Sequence, residues 1–182
     1  MKNLLLSAGD SQRHGELVIT QYGLEGGPIY RLGPAIRSQE KPEIIIDFKP
    51  DSSHQELITK MGHVRKNFIR EARRRWKLDA ATCSILKFMP NRGPWKETSQ
   101  IAQEVKHCRI PLTRPRPLDE AISSAGGIAW HELDQNLMLK KLPGVFVVGE
   151  MIDWEAPTGG YLLQACFATG TYVGNSALND LI

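Results

Sequence analysis

The spacing of apolar residues changes character twice along the chain, and the changes divide it. Residues 16–20, Glu-Leu-Val-Ile-Thr, are a short β-prone run, and Tyr22-Gly23-Leu24-Glu25-Gly26-Gly27 follows as a glycine-rich turn. Pro28 suits the first position of a helix running to about Arg37, because its missing N–H would have no partner there anyway. A second strand is predicted at Glu43-Ile44-Ile45-Ile46-Asp47-Phe48, stopped by Lys49-Pro50-Asp51. From Ser53 to about Cys108 the apolar period lengthens to that of a helix, with breaks at Gly62, Pro90 and Gly93-Pro94, which predicts three or four helices. Arg109–Pro117 carries three prolines and three arginines and reads as a connector. Beyond it Leu118 to Ser124 is strand-like, and Gly144-Val145-Phe146-Val147-Val148-Gly149 is an apolar run of the kind buried in a parallel sheet. A last helical pattern follows Thr158, a suitable N-cap, and is apolar on most sides (Leu162, Leu163, Cys166, Phe167, Val173), so it is expected to be buried.

Strand signals near both ends around a helical middle predict a mixed α/β or α+β fold with a small discontinuous sheet drawn from both chain ends. The expected division is a β/turn/helix segment at 1–41, a mainly helical insert at 42–116 and a C-terminal strand-turn-helix segment at 117–182. With 182 residues and 41% hydrophobic composition the chain can bury a core, and its formal net charge of +3 does not by itself argue for nucleic acid. No apolar run approaches the roughly 20 residues of a membrane span. Leu4-Leu5-Leu6 is too short for a signal-peptide core, so a cytoplasmic protein is expected. Cys83, Cys108 and Cys166, odd in number and far apart, fit free thiols, and the five histidines show no metal-ligand spacing; no metal is expected.

Candidate chemistry concentrates where the 144–149 run meets the last helix. In open α/β sheets ligands sit beyond the carboxyl ends of strands, and a helix N-terminus there offers unpaired N–H groups and partial positive charge. Gly159 and Gly160 remove side chains where a ligand would approach, which suits an anion or an electron-rich ring edge. Glu150 and Asp153 could accept hydrogen bonds from sugar-type hydroxyls. The same spacing equally fits a plain strand–turn–helix junction with its N-cap.

The run Leu142–Glu150, then Asp153, then Pro157-Thr158-Gly159-Gly160-Tyr161 with Gln164 and Thr169-Gly170, resembles the C-terminal signature of BaiN-like NAD(P)/FAD-dependent flavoproteins. Ser124-Ala125-Gly126-Gly127-Ile128, with Glu132 shortly after, is similar to that family's second glycine pair. Tyr22–Gly27 with Ile29-Tyr30 resembles its earlier turn-helix segment. The resemblance implies a glutathione-reductase-like fold and an extended FAD. Gly149 and Glu150 would lie by its ribityl chain and pyrophosphate, Gly159, Gly160 and Tyr161 at the pyrimidine edge of its isoalloxazine, and Gly126 and Gly127 against the cofactor through bare backbone, with Asp153 and Thr158 as further cofactor-binding residues. NAD(P)H would be the electron donor and a small molecule, with an enone-type double bond as one candidate, the acceptor; no catalytic residue is assigned. The family's G-x-G-x-x-G fingerprint for the ADP half of FAD does not occur in this sequence. The expectation is therefore a truncated or split FAD-dependent oxidoreductase, with a separate chain carrying the dinucleotide-binding half as a candidate partner. The alternative is a non-catalytic remnant or interaction subunit.

A basic nucleic-acid-binding protein is a weaker alternative. Arg65–Lys77 holds seven cations in thirteen residues, but Val64, Phe68, Ala72 and Trp76 recur every four positions as one apolar stripe, which describes a solvated amphipathic helix. Cys166 reads as a small core residue, and His131, beside Trp130 and Glu132, is a minor candidate for a proton donor.

Overall fold

Alternation at period two builds a sheet in the computed structural model, which describes residues 1–89, 93–122, 124–156 and 160–179, Asn179 by its backbone alone. Strands β1 (Leu4–Ala8), β2 (Ser11–Gly15), β5 (Glu43–Asp47) and β6 (Cys108–Pro111) pair antiparallel in the order β2-β1-β5-β6. The register sets Leu6 opposite Ile46 and Ile46 opposite Cys108, so one face carries a row of fully buried side chains across three strands. Such cross-strand rows are what fix a sheet's register, since a one-residue slip would turn every one of them to the other face. The short strands β3 (Val18–Thr20) and β4 (Gly23–Glu25) form a separate hairpin.

Helices complete this unit. Helix α1 (Gly27–Arg37) opens with Pro28 and buries Leu32. Four helices separate β5 from β6: α2 (His54–Met61), α3 (Phe68–Arg75), α4 (Ala80–Phe88) and α5 (Thr98–Lys106). Their starts are specified locally. Ser53 and Glu56 form a capping box on α2, Glu97 and Gln100 another on α5, and the Asp79 carboxylate accepts the Thr82 N–H on α4. On α3 the predicted stripe is realised: Phe68, Ala72 and Trp76 are buried while Arg70, Arg73 and Arg74 are exposed. The Trp76 indole N–H reaches the Leu57 carbonyl at 2.9 Å, which docks α3 on α2.

The Lys106 ammonium ties the last turn of α5 to the end of β5. It lies 2.6 Å from Asp47 Oδ2 and donates to the carbonyls of Lys49 (2.9 Å) and Ser52 (2.6 Å), using all three donors. The loop from β5 into α2 is thereby held at three points.

The chain divides into two compact units, residues 1–113 and 114–182. The mixed α/β class expected from the sequence is borne out, with corrections to its detail. Every strand of the four-stranded sheet comes from residues 4–111, so the sheet is not drawn from both chain ends. Residues 144–149 form no strand of a sheet: Gly144 (φ 84) and Gly149 (φ 64) bound the run with left-handed backbone, and Phe146 alone makes an isolated bridge, to Met138. The strand expected at 118–124 is instead a 3₁₀ turn at Leu118–Glu120, clamped by the Arg116 guanidinium on Glu120 at 2.6 and 2.8 Å; Ser123 lies outside the described residues.

Helix α6 (Tyr161–Asn179) has the expected length, but none of its described side chains is fully buried. Leu162, Ala165, Cys166, Thr169, Val173 and Ser176 make one half-buried stripe at helical spacing, whereas Leu163, Phe167 and Leu178 are exposed. Among the described residues the second unit buries only Leu133, Val147 and Ile152 as a core, too little surface to cover a helix that is apolar all round. Among the described residues no helix is long and apolar enough to cross a membrane.

Lys106→Met should destabilise the first unit by about 2 kcal/mol in urea unfolding, because it leaves Asp47 and two carbonyls without their donor. Glu43→Gln, which removes the more exposed Arg109–Glu43 pair, should cost less than about 1 kcal/mol.

Candidate functional site

The second unit is organised by a backbone pairing. The Ile128 N–H donates to the Met151 carbonyl at 2.7 Å, the Asp153 N–H donates to the Ile128 carbonyl at 2.9 Å, and Ile128 and Ile152 form a parallel bridge. Two segments far apart in sequence, Gly126-Gly127 and 149–153, are thus drawn side by side. The approach requires glycine at 127: its φ is 146, and a Cβ there would stand 2.7 Å from the Met151 carbonyl oxygen and 2.9 Å from the Asp153 nitrogen. Ile152 points its side chain into the core with Leu133 and Val147, whereas Gly126, Gly127, Glu150 and Asp153 are exposed. The result is a shelf of bare backbone flanked by two carboxylates.

Gly149 fastens this shelf to α6. It begins a 3₁₀ turn, Gly149–Met151, with φ 64, and its N–H donates to Thr169 Oγ1 at 3.0 Å. A Cβ at 149 would come within 3.0 Å of Cys166 Sγ. Cys166 and Thr169, one turn apart on the half-buried stripe, therefore grip the turn, and the Tyr172 hydroxyl adds a hydrogen bond to the Gln135 carbonyl at 2.9 Å. Cys166 packs against Gly149 but is half-buried and outside the core cluster, where its sequence context suggested a small core residue. The holding role of Thr169 was not legible, because nothing in the sequence says that a hydroxyl on the helix meets a backbone N–H twenty residues earlier.

The first turn of α6 starts at Gly160, where the Gln164 N–H donates to the Gly160 carbonyl at 3.0 Å. Gly160 has φ 86 and open space where a Cβ would be, and Tyr161 is exposed. The N–H groups of a helix's first turn have no intrahelical partners and carry its positive dipole end. Gly160 precedes the Cys166 contact by about 9 Å along the axis at 1.5 Å per residue. Thr158 and Gly159, with the expected N-cap, lie outside the described residues.

Glu132 makes none of the hydrogen bonds that join the shelf. The Lys141 ammonium bonds its carboxylate at 2.7 Å and, ahead of weaker attractions from His131 and Lys140, holds its pKa below the ordinary carboxylate value. His131 is exposed, 3.6 Å from the Glu132 carboxylate, with no enclosure that would suit a proton donor.

The model of the family described as HI0933-like protein Rossmann domain matches residues 50–176. The parallel pairing of Ile128 with Ile152 falls inside that range. The chain is similar to the 3-dehydro-bile acid delta(4,6)-reductase of Clostridium scindens, with 26% identity over 191 aligned residues, 90% of this chain and 44% of the reductase. The chain thus spans less than half the length of that relative.

Gly127→Ala should destabilise the second unit by on the order of 3 kcal/mol, read as earlier melting and faster proteolysis, since a backbone clash and a strained φ act together. Lys141→Met should raise the Glu132 pKa toward its ordinary value in an NMR titration. Because that pKa is depressed in the folded protein, the stabilisation it reports is present above the ordinary carboxylate pKa and is lost as pH falls through the depressed one.

Proposed function

The chain belongs to the HI0933-like protein Rossmann domain family, and from that membership we propose that it forms the ribityl and isoalloxazine side of an FAD site in an NAD(P)H-linked flavoprotein oxidoreductase. The observation that carries the reading is the glycine-bared shelf at 126–127 and 149–153, fastened through Gly149 to the helix that opens at Gly160. A flat, polyhydroxylated cofactor is admitted by such a surface, because side chains are missing where the ring and chain would lie and carboxylates stand where hydroxyls would need acceptors.

In this reading Glu150 and Asp153 accept hydrogen bonds from ribityl hydroxyls. Gly126 and Gly127 let the cofactor approach the main chain, and Gly160 with Tyr161 directs the N–H groups of the helix's first turn at the electron-rich pyrimidine edge. Bound FAD supplies hydride transfer from a nicotinamide donor to a small-molecule acceptor; the residues of this chain bind and orient. The name of the Clostridium relative, a delta(4,6)-reductase of a 3-dehydro-bile acid, favours an acceptor whose double bond is conjugated to a ketone. The ADP half of the cofactor would be held by a segment bearing G-x-G-x-x-G, a spacing absent from these 182 residues.

A second reading is favoured by the exposed Leu163, Phe167 and Leu178 of α6: a non-catalytic subunit that pairs with a separate nucleotide-binding chain. Flavin-dependent turnover by the purified chain would eliminate it.

The test of the first reading is FAD titration of the purified chain, followed by desalting and flavin absorbance. Glu150→Ala with Asp153→Ala, both exposed and safe for folding, should weaken binding at least about tenfold, the worth of one charge-assisted hydrogen bond. Equal retention by wild type and double variant would contradict the proposed site; retention by neither would mean that the site needs the segment bearing G-x-G-x-x-G, and the comparison is then made with that segment supplied as a separate chain.

A further inference from the structure

A cavity of about 440 Å³ opens in the first unit between the turn after β5 and the C-terminal ends of α2 and α3. We infer that this cavity is a binding site for a small phosphate-bearing anion. It lies in the other unit from the flavin-facing shelf, so the inference stands apart from the flavin reading.

The first argument is charge. Lys2, Lys49, Lys60, Arg75 and Lys77 line the cavity against a single carboxylate, Asp51, which is itself bonded to the Asn3 amide. Lys2 lies 3.6 Å from Glu16, and Arg75 shares Glu71 with Arg74. For Lys49, Lys60 and Lys77 no carboxylate lies within ion-pair distance among the described residues. Lys49 Nζ reaches only the Lys77 carbonyl at 3.4 Å, and Lys60 Nζ only the Ser52 hydroxyl at 3.3 Å. The Glu56 carboxylate attracts Lys60 at longer range, but the lining still carries five cations against one carboxylate, a balance that focuses a positive potential which a multivalent anion would relieve.

The second argument is rigidity. The wall is built from Phe48 and Trp76, both buried. Trp76 is locked by its bond to the Leu57 carbonyl, and the Phe48 N–H by its bond to the Val105 carbonyl at 2.9 Å. Lys106 fixes the carbonyls of Lys49 and Ser52 from behind. The cations therefore project from a frame that needs no reordering on binding, which favours affinity.

The third argument is backbone strain. Among the described residues four non-glycine positions have positive φ, and two of them, Asn3 and Lys77, both at φ 52, line this cavity. Asparagine tolerates that conformation; lysine does so at a cost that glycine would avoid. A lysine held there for its side chain, at the rim of a cationic cavity, is accounted for by a ligand.

The experiment is calorimetric titration of the full chain with inorganic pyrophosphate at fixed ionic strength, using Lys60→Gln, Lys77→Gly and, away from the cavity, Lys87→Gln. Saturable binding should weaken about tenfold in each of the first two and stay unchanged in the third, and should weaken as salt rises. Lys77→Gly relieves the left-handed strain, so its melting temperature should hold or rise while its affinity falls, which separates binding from folding. Absence of saturable binding, wild-type affinity in Lys60→Gln and Lys77→Gly, or equal weakening in Lys87→Gln would overturn the inference. Tight binding of duplex DNA that pyrophosphate cannot displace would overturn it as well.

Discussion

Two backbone hydrogen bonds, from Ile128 to Met151 and from Asp153 to Ile128, hold together the part of the molecule on which the functional reading depends. They join segments that share no local signal and are possible only because residue 127 has no Cβ. With the pairing in place, Ile152 closes a small core with Leu133 and Val147, and the same strip of chain turns Glu150 and Asp153 outward. Packing and the proposed cofactor-facing surface are thus two faces of one element. Gly149 extends the constraint to α6, since its N–H to Thr169 and its missing side chain beside Cys166 fix where the helix sits on its own unit.

The first unit shows a different economy. Its order rests on a one-sided antiparallel sheet whose inward row, Leu6, Ile46 and Cys108, lies in one core with residues of the helices, three of which start at side-chain caps, and on one ammonium group that satisfies three acceptors. Local preference and tertiary packing agree there, which is the condition under which a sequence specifies one structure. The second unit has fewer buried residues and more irregular backbone, as expected where glycines serve approach rather than stability.

That contrast explains what could be read in advance. Helix α1 after Pro28, strand β5 and the amphipathic α3 followed from short-range patterns whose physical meaning is local. The 144–149 run misled because apolar content signals burial but not pairing: Val147 is indeed buried, yet Gly144 and Gly149 leave the extended region and end the ladder before it starts. Helix α6 misled in the opposite sense, since its sequence is apolar beyond what the second unit covers. Gly149, Glu150 and Asp153 could be named from spacing and Gly126 and Gly127 from the family resemblance, but their adjacency could not, because it is made by main-chain atoms that look the same in every sequence. The cationic cavity was equally invisible, assembled from the residues before β1, the turn after β5 and the ends of two helices.

The most direct test of the central claim is amide hydrogen exchange of the chain with and without saturating FAD. The account predicts slowed exchange at 126–128, 149–153 and 160–164, the shelf and the first turn of α6, with the sheet of the first unit unchanged. Unchanged exchange in those three segments, or protection confined to the first unit, would contradict it.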